Sequence, residues 1–205
     1  MKLDKQAVIG LALAAAALLA GLALFVVNNG QGSQANFRGA DVTGVSWGRG
    51  FKMKDVDGHE RTLEQFRGKV VVLFFGYTQC PDVCPTTMLE LAQTKQALGP
   101  LGDKVQGVFI TVDPERDTAP LLKAYMANFD PSFVALRGNA EETRVMADEF
   151  KVYYAKVAGS TPGSYTMDHT AASFIFDPEG RLRVFEKFGK GEDLAADVKT
   201  LLDGH

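Results

Sequence analysis

Both cysteines of the chain lie in one short stretch, Tyr77-Thr-Gln-Cys80-Pro-Asp-Val-Cys84-Pro85. The stretch follows residues 70–75, a continuous apolar run rich in β-branched residues, which predicts a strand covered on both faces. A helical pattern follows over residues 86–98. An α/β fold exposes reactive groups where a buried strand passes into a helix. Two thiols so placed are typical of a working pair rather than of a disulfide scaffold.

Pro85 suits the first position of that helix, because its φ is fixed near −65° and it lacks an N–H that would need a partner. Cys84 is then a cap-like residue, and both sulfurs lie near a positive helix N-terminus, which favours thiolates. Asp82 opposes that effect. A spacing of four brings the two Cβ atoms within about 5–6 Å in a helical segment. A disulfide is therefore feasible.

The cysteine spacing leaves three chemical roles open. Soft thiolates favour Cu(I) or Zn(II), and a site with two thiolates usually needs another ligand. Thiol–disulfide exchange is less favoured, because the motif has three intervening residues instead of the two of thioredoxin-type motifs. A passive structural disulfide is the third alternative.

One of the three histidines is placed to be the missing ligand. His59 lies in a polar hairpin turn and His205 is the last residue, so both are expected to be solvated. His169 lies where a Gly- and Ser-rich loop enters a strand. In a thioredoxin-like arrangement this loop returns beside the N-terminus of the cysteine helix. His169 is thus a candidate ligand, with a solvated surface histidine as the alternative.

Strands and helices alternate along the rest of the chain. Further strands are predicted over 105–112, 133–136, 152–157, 171–176 and 182–188, and further helices over 120–129, 140–150 and 194–202. Asp57-Gly58 at the centre of 51–62 predicts a hairpin, and the composition of 158–168 predicts a surface loop. The expected fold is α/β, a mixed sheet flanked by helices, and its order of elements resembles the thioredoxin fold.

Two predicted helices have apolar stripes that we expect to face the core. The stripe over 120–129 includes Leu121 and Leu122, and that over 140–150 includes Val145 and Met146.

The N-terminus contains an uncharged apolar segment that predicts a transmembrane helix. Ala7–Val27 is 21 residues long, and a helix needs about 20 to cross the hydrocarbon core. Lys2 and Lys5 precede it, and no Lys or Arg follows before Arg38. The positive-inside rule therefore places the N-terminus in the cytoplasm and exports the remainder.

These features divide the chain into three parts. We expect a membrane anchor over residues 1–27, a flexible linker over 28–36 and a thioredoxin-like domain over 37–205. A cleaved signal peptide is the alternative to the anchor. The exported compartment is oxidising and permits a disulfide. The net charge of −3 gives no indication of a nucleic-acid partner.

Four segments resemble the Sco/SenC family. They are Gly76-Tyr-Thr-Gln-Cys80-Pro-Asp-Val-Cys84-Pro85, Thr111-Val-Asp113-Pro-Glu-Arg-Asp117-Thr118, Tyr165-Thr-Met-Asp168-His169-Thr170 and Phe174-Ile-Phe-Asp177-Pro-Glu-Gly180. The resemblance runs from about Phe37 to the C-terminus, and the single N-terminal anchor also fits the family.

The resemblance implies a membrane-tethered copper protein with a thioredoxin-like fold. Such proteins deliver copper to the copper A centre in cytochrome c oxidase subunit II, or keep the cysteines of that centre reduced. The family's cysteines match Cys80 and Cys84, and its histidine ligand matches His169. These three residues are the expected ligands of Cu(I) or Cu(II), and the two cysteines are the redox pair if the protein is a reductase.

The same resemblance implies the setting of the protein. The expected partners are cytochrome c oxidase subunit II and an upstream periplasmic copper donor. The expected location is the bacterial inner membrane, with a single span and the soluble domain on the periplasmic side.

Other residues near the motifs have two interpretations each. Arg116 can pair with Asp113 or Asp117 as a loop brace, or can contact a partner protein. Asp168 can orient His169 by a hydrogen bond or lie in solvent.

Met88 and Met167 are either additional soft ligands or packing residues. Thr78 ahead of Cys80 has a faint likeness to a peroxiredoxin pocket, although the second cysteine four residues on does not fit a peroxidase.

Overall fold

A six-stranded mixed sheet forms the centre of the protein. The computed structural model describes residues 36–189 and 191–204. The strands are β1 (Ala40–Asp41), β2 (Lys52–Lys54), β3 (Glu60–Thr62), β4 (Val70–Gly76), β5 (Val105–Thr111), β6 (Val134–Leu136), β7 (Tyr154–Ala158), β8 (Tyr165–His169), β9 (Ala172–Phe176) and β10 (Leu182–Lys187). The α-helices are α1 (Val83–Ala97), α2 (Ala119–Met126), α3 (Ala140–Glu149) and α4 (Gly191–Leu202), and Leu63–Phe66 and Gly99–Lys104 form 3₁₀ helices.

The large sheet has the order β1-β10-β9-β4-β5-β6. Strands β4, β5 and β6 are parallel, whereas β9 is antiparallel to β4 and β10 is antiparallel to β9. Every residue of β4 and β5 is buried, as expected for strands covered on both faces. The predicted mixed α/β sheet with a thioredoxin-like order of elements is confirmed.

Aromatic rings fill much of the core beside the central strands. The Phe174 ring is 1% exposed. Its centroid lies 5.1 Å from that of Phe150 and 6.0 Å from that of Phe75, both in edge-to-face geometry. Helices α1 and α4 contact each other and the sheet, α1 against β5 and α4 against β4 and β10. This packing fixes α1 relative to the end of β4, where the cysteine loop begins.

Helix α1 begins three residues earlier than the sequence predicted. It starts at Val83, so Cys84 is its second residue and Pro85 its third. The N–H of Thr86 donates the first helical hydrogen bond to the Asp82 carbonyl, at 3.1 Å. None of the first amide groups of a helix has an acceptor within the helix. Proline at the third position therefore costs no helical hydrogen bond.

Two predicted core residues are on the surface. The structure leaves Leu121 41% exposed in α2 and Val145 50% exposed in α3. Their neighbours Leu122 and Met146 are buried instead. Adjacent residues point about 100° apart on a helix, so only one of each pair reaches the core.

The prediction of a surface loop over residues 158–168 was wrong for the second half of this segment. Residues 165–169 form β8, which pairs with β7 in a separate two-stranded sheet, with His169 opposite Tyr154. Met167 is buried while its neighbours Thr166 and Asp168 are exposed, which is the alternation of a half-buried strand. The polar composition of the region concealed this short pattern.

The hairpin predicted around Asp57-Gly58 is confirmed as β2 and β3, with Gly58 at φ +84°. The predicted anchor and residues 28–35 of the predicted linker lie outside the described residues. Among residues 36–189 and 191–204, none of the helices combines the length and the apolar character needed to span a membrane.

Candidate metal centre

Three side chains that can ligate a metal meet at the carboxyl end of β4. One ligand atom from each of Cys80, Cys84 and His169 lies within 4.8 Å of the others. All three were predicted from the sequence as site residues, and the structure brings them together.

The register between β4 and β9 explains how distant parts of the chain meet here. Val71 pairs with Phe176 and Phe74 pairs with Ser173 in antiparallel orientation. The segment that leads into β9 therefore passes beside the end of β4, from which the cysteine loop leaves. His169 lies four residues before Ser173 in that segment.

Cys84 lies against the backbone of β4, and a glycine makes this approach possible. The residue is fully buried. A Cβ atom at Gly76 would lie 2.9 Å from Cys84 Sγ and 2.8 Å from a ring carbon of Phe109. Real Cβ contacts are longer than this, so a side chain at position 76 would displace the sulfur. Nothing in the sequence indicates this role of Gly76, because it depends on a contact between two elements.

The His169 ring is oriented by a backbone carbonyl. Its Nδ1 lies 3.1 Å from the carbonyl oxygen of Thr170. A carbonyl oxygen only accepts, so Nδ1 donates its proton there and Nε2 is left with a free lone pair. Nε2 is 3.4 Å from Cys84 Sγ. Asp168 is exposed, and the orienting role considered for it belongs to the Thr170 carbonyl.

Two aromatic rings hold the imidazole edge-on from the β4 side. The centroid of the His169 ring lies 6.0 Å from that of Phe74 and 5.9 Å from that of Tyr77. The ring of His169 is half-buried. The imidazole thus has a fixed plane as well as a fixed tautomer.

The two thiols differ in their protonation. The pKa of Cys80 is lowered to about 4, chiefly because the Cys84 thiol donates to it, with the neighbouring His169 imidazole and the backbone N–H groups of Cys84 and Asp82 acting in the same direction. The Cys84 N–H lies 3.4 Å from Cys80 Sγ. Burial raises the pKa of Cys84, and the neighbouring Cys80 thiolate raises it further. The reduced pair therefore consists of an accessible thiolate and a buried thiol.

A buried carboxylate anchors the start of the cysteine loop. Asp117 is fully buried and accepts hydrogen bonds from the hydroxyl of Thr78, at 2.6 Å, and the hydroxyl of Thr111, at 2.6 Å. The backbone N–H of Thr78 also donates to it, at 3.1 Å. Burial raises the pKa of Asp117. Arg116 pairs with Asp113 and leaves Asp117 to hold the loop.

The structure supports the packing interpretation for the two methionines that were considered as additional ligands. Met88 and Met167 are buried members of the hydrophobic core, which supports packing. His59 is 71% exposed at its side chain beside Asp55, in the turn between β2 and β3. His205 lies outside the described residues.

The donor set defines the metals that fit. Two sulfurs and an unprotonated imidazole nitrogen are soft or borderline ligands, which suit Cu(I), Cu(II) or Zn(II) far better than Mg²⁺ or Ca²⁺. The site has a preformed second sphere, since the Thr170 carbonyl fixes the imidazole.

Comparison with known proteins decides the family. The model of the family described as SCO1/SenC matches residues 41–203. The chain belongs to the SCO1/SenC family. The family resemblance seen in the cysteine, Asp-Pro-Glu-Arg-Asp and histidine motifs is thereby confirmed.

Several SCO1/SenC proteins are close relatives. A SCO2-like protein of Rickettsia felis is 34% identical over 138 residues, which cover 67% of each chain. The structure of Bradyrhizobium japonicum ScoI with copper bound is 40% identical, with a TM-score of 0.67, over 75% of this chain and 98% of that one. The solution structure of apo Sco1 from Thermus thermophilus is 39% identical, with a TM-score of 0.72, over 83% of this chain and 100% of that one.

We predict that iodoacetamide alkylates Cys80 far faster than Cys84 in the reduced, metal-free protein at pH 6. Cys80 is accessible, and its pKa of about 4 leaves it as thiolate, whereas an ordinary thiol with a pKa of about 8.5 is almost wholly protonated at that pH. Peptide mass spectrometry locates the label.

The pH profile provides the control. Because the folded protein holds the Cys80 pKa low, its labelling rate stays level from pH 8 down to pH 6 and declines as the pH falls through about 4. Unfolding in urea should make both cysteines react alike, with a rate that rises through pH 8. Equal labelling of Cys80 and Cys84 in the folded protein would contradict the assignment of Cys80 as the thiolate.

Proposed function

We propose that the protein binds copper through Cys80 Sγ, Cys84 Sγ and His169 Nε2 and supplies it for assembly of the copper A centre in cytochrome c oxidase subunit II. The observation that carries the proposal is the convergence of these three donors within 4.8 Å. It occurs in a SCO1/SenC chain that is 40% identical to a protein solved with copper bound.

The softness and the small number of the donors favour Cu(I). Two thiolates and one neutral imidazole around Cu(I) give a formal charge of −1, which a half-buried site tolerates better than the bare dithiolate. Cu(II) would call for water or a carboxylate in addition. Cys84 is protonated in the metal-free protein, so loading releases its proton and binding strengthens as the pH rises.

The exposure of the ligands supports a role in transfer. Cys80 is half-buried and is followed by exposed Pro81 and Asp82, whereas Cys84 is fully buried. An acceptor can therefore approach from the Cys80 and His169 side and exchange ligands one at a time. Cys84 is the ligand that such an acceptor reaches last.

The setting is part of the same proposal. The apolar segment 7–27 with Lys2 and Lys5 before it supports a single anchor in the bacterial inner membrane and a periplasmic domain. Copper then reaches the site from an upstream periplasmic donor and leaves it for subunit II. Membership of a family of copper proteins in cytochrome c oxidase assembly supports these partners.

We predict that His169→Ala weakens Cu(I) affinity by more than about 100-fold. The loss of a residue that only supports a ligand already costs about 10–100-fold, and the loss of the ligand itself costs more. Competition with a chromophoric Cu(I) chelator measures the affinity of the full-length protein. His59→Ala is the matched control, since that side chain is 71% exposed and far from the thiols in sequence. A His169→Ala protein that retains the wild-type affinity would contradict the proposed three-ligand site.

A thiol–disulfide reductase is the second candidate, and the unequal thiols favour it. An accessible thiolate beside a buried thiol is the arrangement of an attacking and a resolving cysteine. The Cys80 thiolate attacks one sulfur of the target disulfide and forms a mixed disulfide, and the target's other sulfur leaves as a thiolate. Cys84, after loss of its proton, then attacks Cys80 Sγ and releases the second target thiolate. The target gains two electrons and this protein is left with the Cys80–Cys84 disulfide.

We predict that Cys84→Ser traps a mixed disulfide with the oxidised copper-site domain of subunit II, and that Cys80→Ser does not. Only the first variant keeps the attacking thiolate while lacking the resolving thiol. Non-reducing electrophoresis and mass spectrometry detect the adduct. The control adds His169→Ala to Cys84→Ser, and this double variant should still trap the adduct because the exchange uses the sulfurs alone. Absence of an adduct with Cys84→Ser argues against reduction and leaves copper delivery as the function.

A further inference from the structure

The hairpin that carries His169 is held outside the large sheet. Among the described residues, β7 and β8 pair only with each other, and most of β7 is exposed. Hydrogen bonds of the main sheet therefore do not set the tilt of this hairpin. The register of β9 places His169 near the cysteines, and the tilt of the hairpin that precedes β9 is left to side-chain contacts.

Arg116 joins the hairpin to the body of the protein. Its Nη1 donates to the carbonyl oxygen of Tyr165, the first residue of β8, at 2.7 Å. Its guanidinium carbon lies 3.6 Å from the centroid of the Tyr165 ring, in a stacking arrangement. Its Nε donates to Oδ2 of Asp113, and Nη1 also lies 3.3 Å from Oε1 of Gln79, in the cysteine loop. One side chain thus touches β8, the loop after β5 and the cysteine loop.

Asp113 closes this arrangement into a three-residue clamp with Arg116 and Tyr165. Its carboxylate is 1% exposed, and its second oxygen, Oδ1, accepts from the Tyr165 hydroxyl at 2.9 Å. The Arg116 side chain is 21% exposed. A buried carboxylate and a largely covered guanidinium hold a defined geometry better than exposed ion pairs do. Little of Arg116 is available to a partner protein.

We infer that Arg116 is a positioning residue for the metal centre: the clamp of Arg116, Asp113 and Tyr165 fixes the tilt of the β7–β8 hairpin and so keeps His169 Nε2 facing Cys84. Tyr165 and His169 lie at opposite ends of β8 and on the same face, since residues i and i+4 of a strand point the same way. They are about 13 Å apart at ~3.3 Å per residue. The clamp grips one end of this rigid strand and the imidazole occupies the other. The inference deepens the proposed copper function and rests on it.

Two substitutions weaken the clamp and still keep a positive charge beside the buried carboxylate of Asp113. Arg116→Lys keeps a positive charge for Asp113, but an ammonium cannot also stack on Tyr165 and reach its carbonyl oxygen. Tyr165→Leu removes the stacked ring and its hydroxyl and keeps the Arg116–Asp113 pair. The matched control is Val157→Thr, which changes an exposed side chain of β7 on the same hairpin and leaves the three clamp residues unchanged. Cooperative thermal unfolding of each metal-free protein verifies that it folds.

We predict that Arg116→Lys and Tyr165→Leu each weaken Cu(I) affinity by about 10–100-fold, the usual cost of losing a residue that supports a ligand. Val157→Thr should bind as the wild type does. The decisive step repeats Arg116→Lys in a His169→Ala background. If Arg116 acts through His169, the substitution costs nothing further there, because the ligand that it positions is gone.

Wild-type affinity in both clamp variants overturns the inference, and so does an equal loss in the His169→Ala background. Failure of the wild type to bind copper overturns the proposed function instead. In that case the positioning role of the clamp can still be tested by the imidazole ¹⁵N signals of His169 in the metal-free protein. These signals should report one Nδ1–H tautomer in the wild type and an average of two in Arg116→Lys; unchanged signals would contradict the clamp.

Discussion

The antiparallel register between β4 and β9 determines where His169 can lie relative to the cysteines. Phe74 pairs with Ser173, so the chain before β9 runs past the end of β4 just where the cysteine loop begins. Residues 85 positions apart in sequence thereby come within 3.4 Å of each other. The Thr78 hydroxyl anchors the start of this loop by donating to Asp117, and Cys84 packs against Gly76 at the end of β4. The metal centre therefore depends on the sheet. The two cysteines lie in the segment that follows β4, and His169 lies in the segment that leads into β9.

The asymmetry between the two cysteines links the two chemistries that the site supports. Cys80 lies at the surface near the N-terminal amides of α1, whereas Cys84 is buried against Gly76 and Phe109. Burial opposes a second negative charge, which explains why the metal-free pair shares one proton. A cation placed between the sulfurs removes that opposition, and so does oxidation to a disulfide. The same arrangement suits copper binding and thiol exchange for one electrostatic reason.

The sequence alone predicted the parts of the site that depend on local patterns. The apolar run before Cys80 identified β4, and the position of His169 at the entry to a strand made it a candidate ligand without excluding a surface role. The match of four segments to one family strengthened that assignment. Pro85 misled the prediction of where α1 begins, because the first turn of a helix tolerates proline at several positions. The short alternating pattern of β8 was hidden by the Gly- and Ser-rich residues before it.

The supporting contacts were beyond prediction because they join segments distant in sequence. Nothing local indicates that Gly76 makes room for a sulfur, that Asp117 receives the Thr78 hydroxyl, or that the Thr170 carbonyl orients the imidazole. Arg116 could be read as a brace, but its contact with Tyr165 needs the fold of the β7–β8 hairpin. Such residues carry no motif of their own, and only the packed structure shows what they touch.

X-ray absorption at the copper edge can decide whether all three side chains bind copper, because it distinguishes sulfur from imidazole ligands. We expect two sulfur scatterers and one imidazole nitrogen around Cu(I) in the full-length wild-type protein. In His169→Ala the imidazole signal should be lost while both sulfurs remain. A wild-type spectrum with sulfur ligands alone, or an imidazole signal that survives His169→Ala, would contradict the three-ligand site.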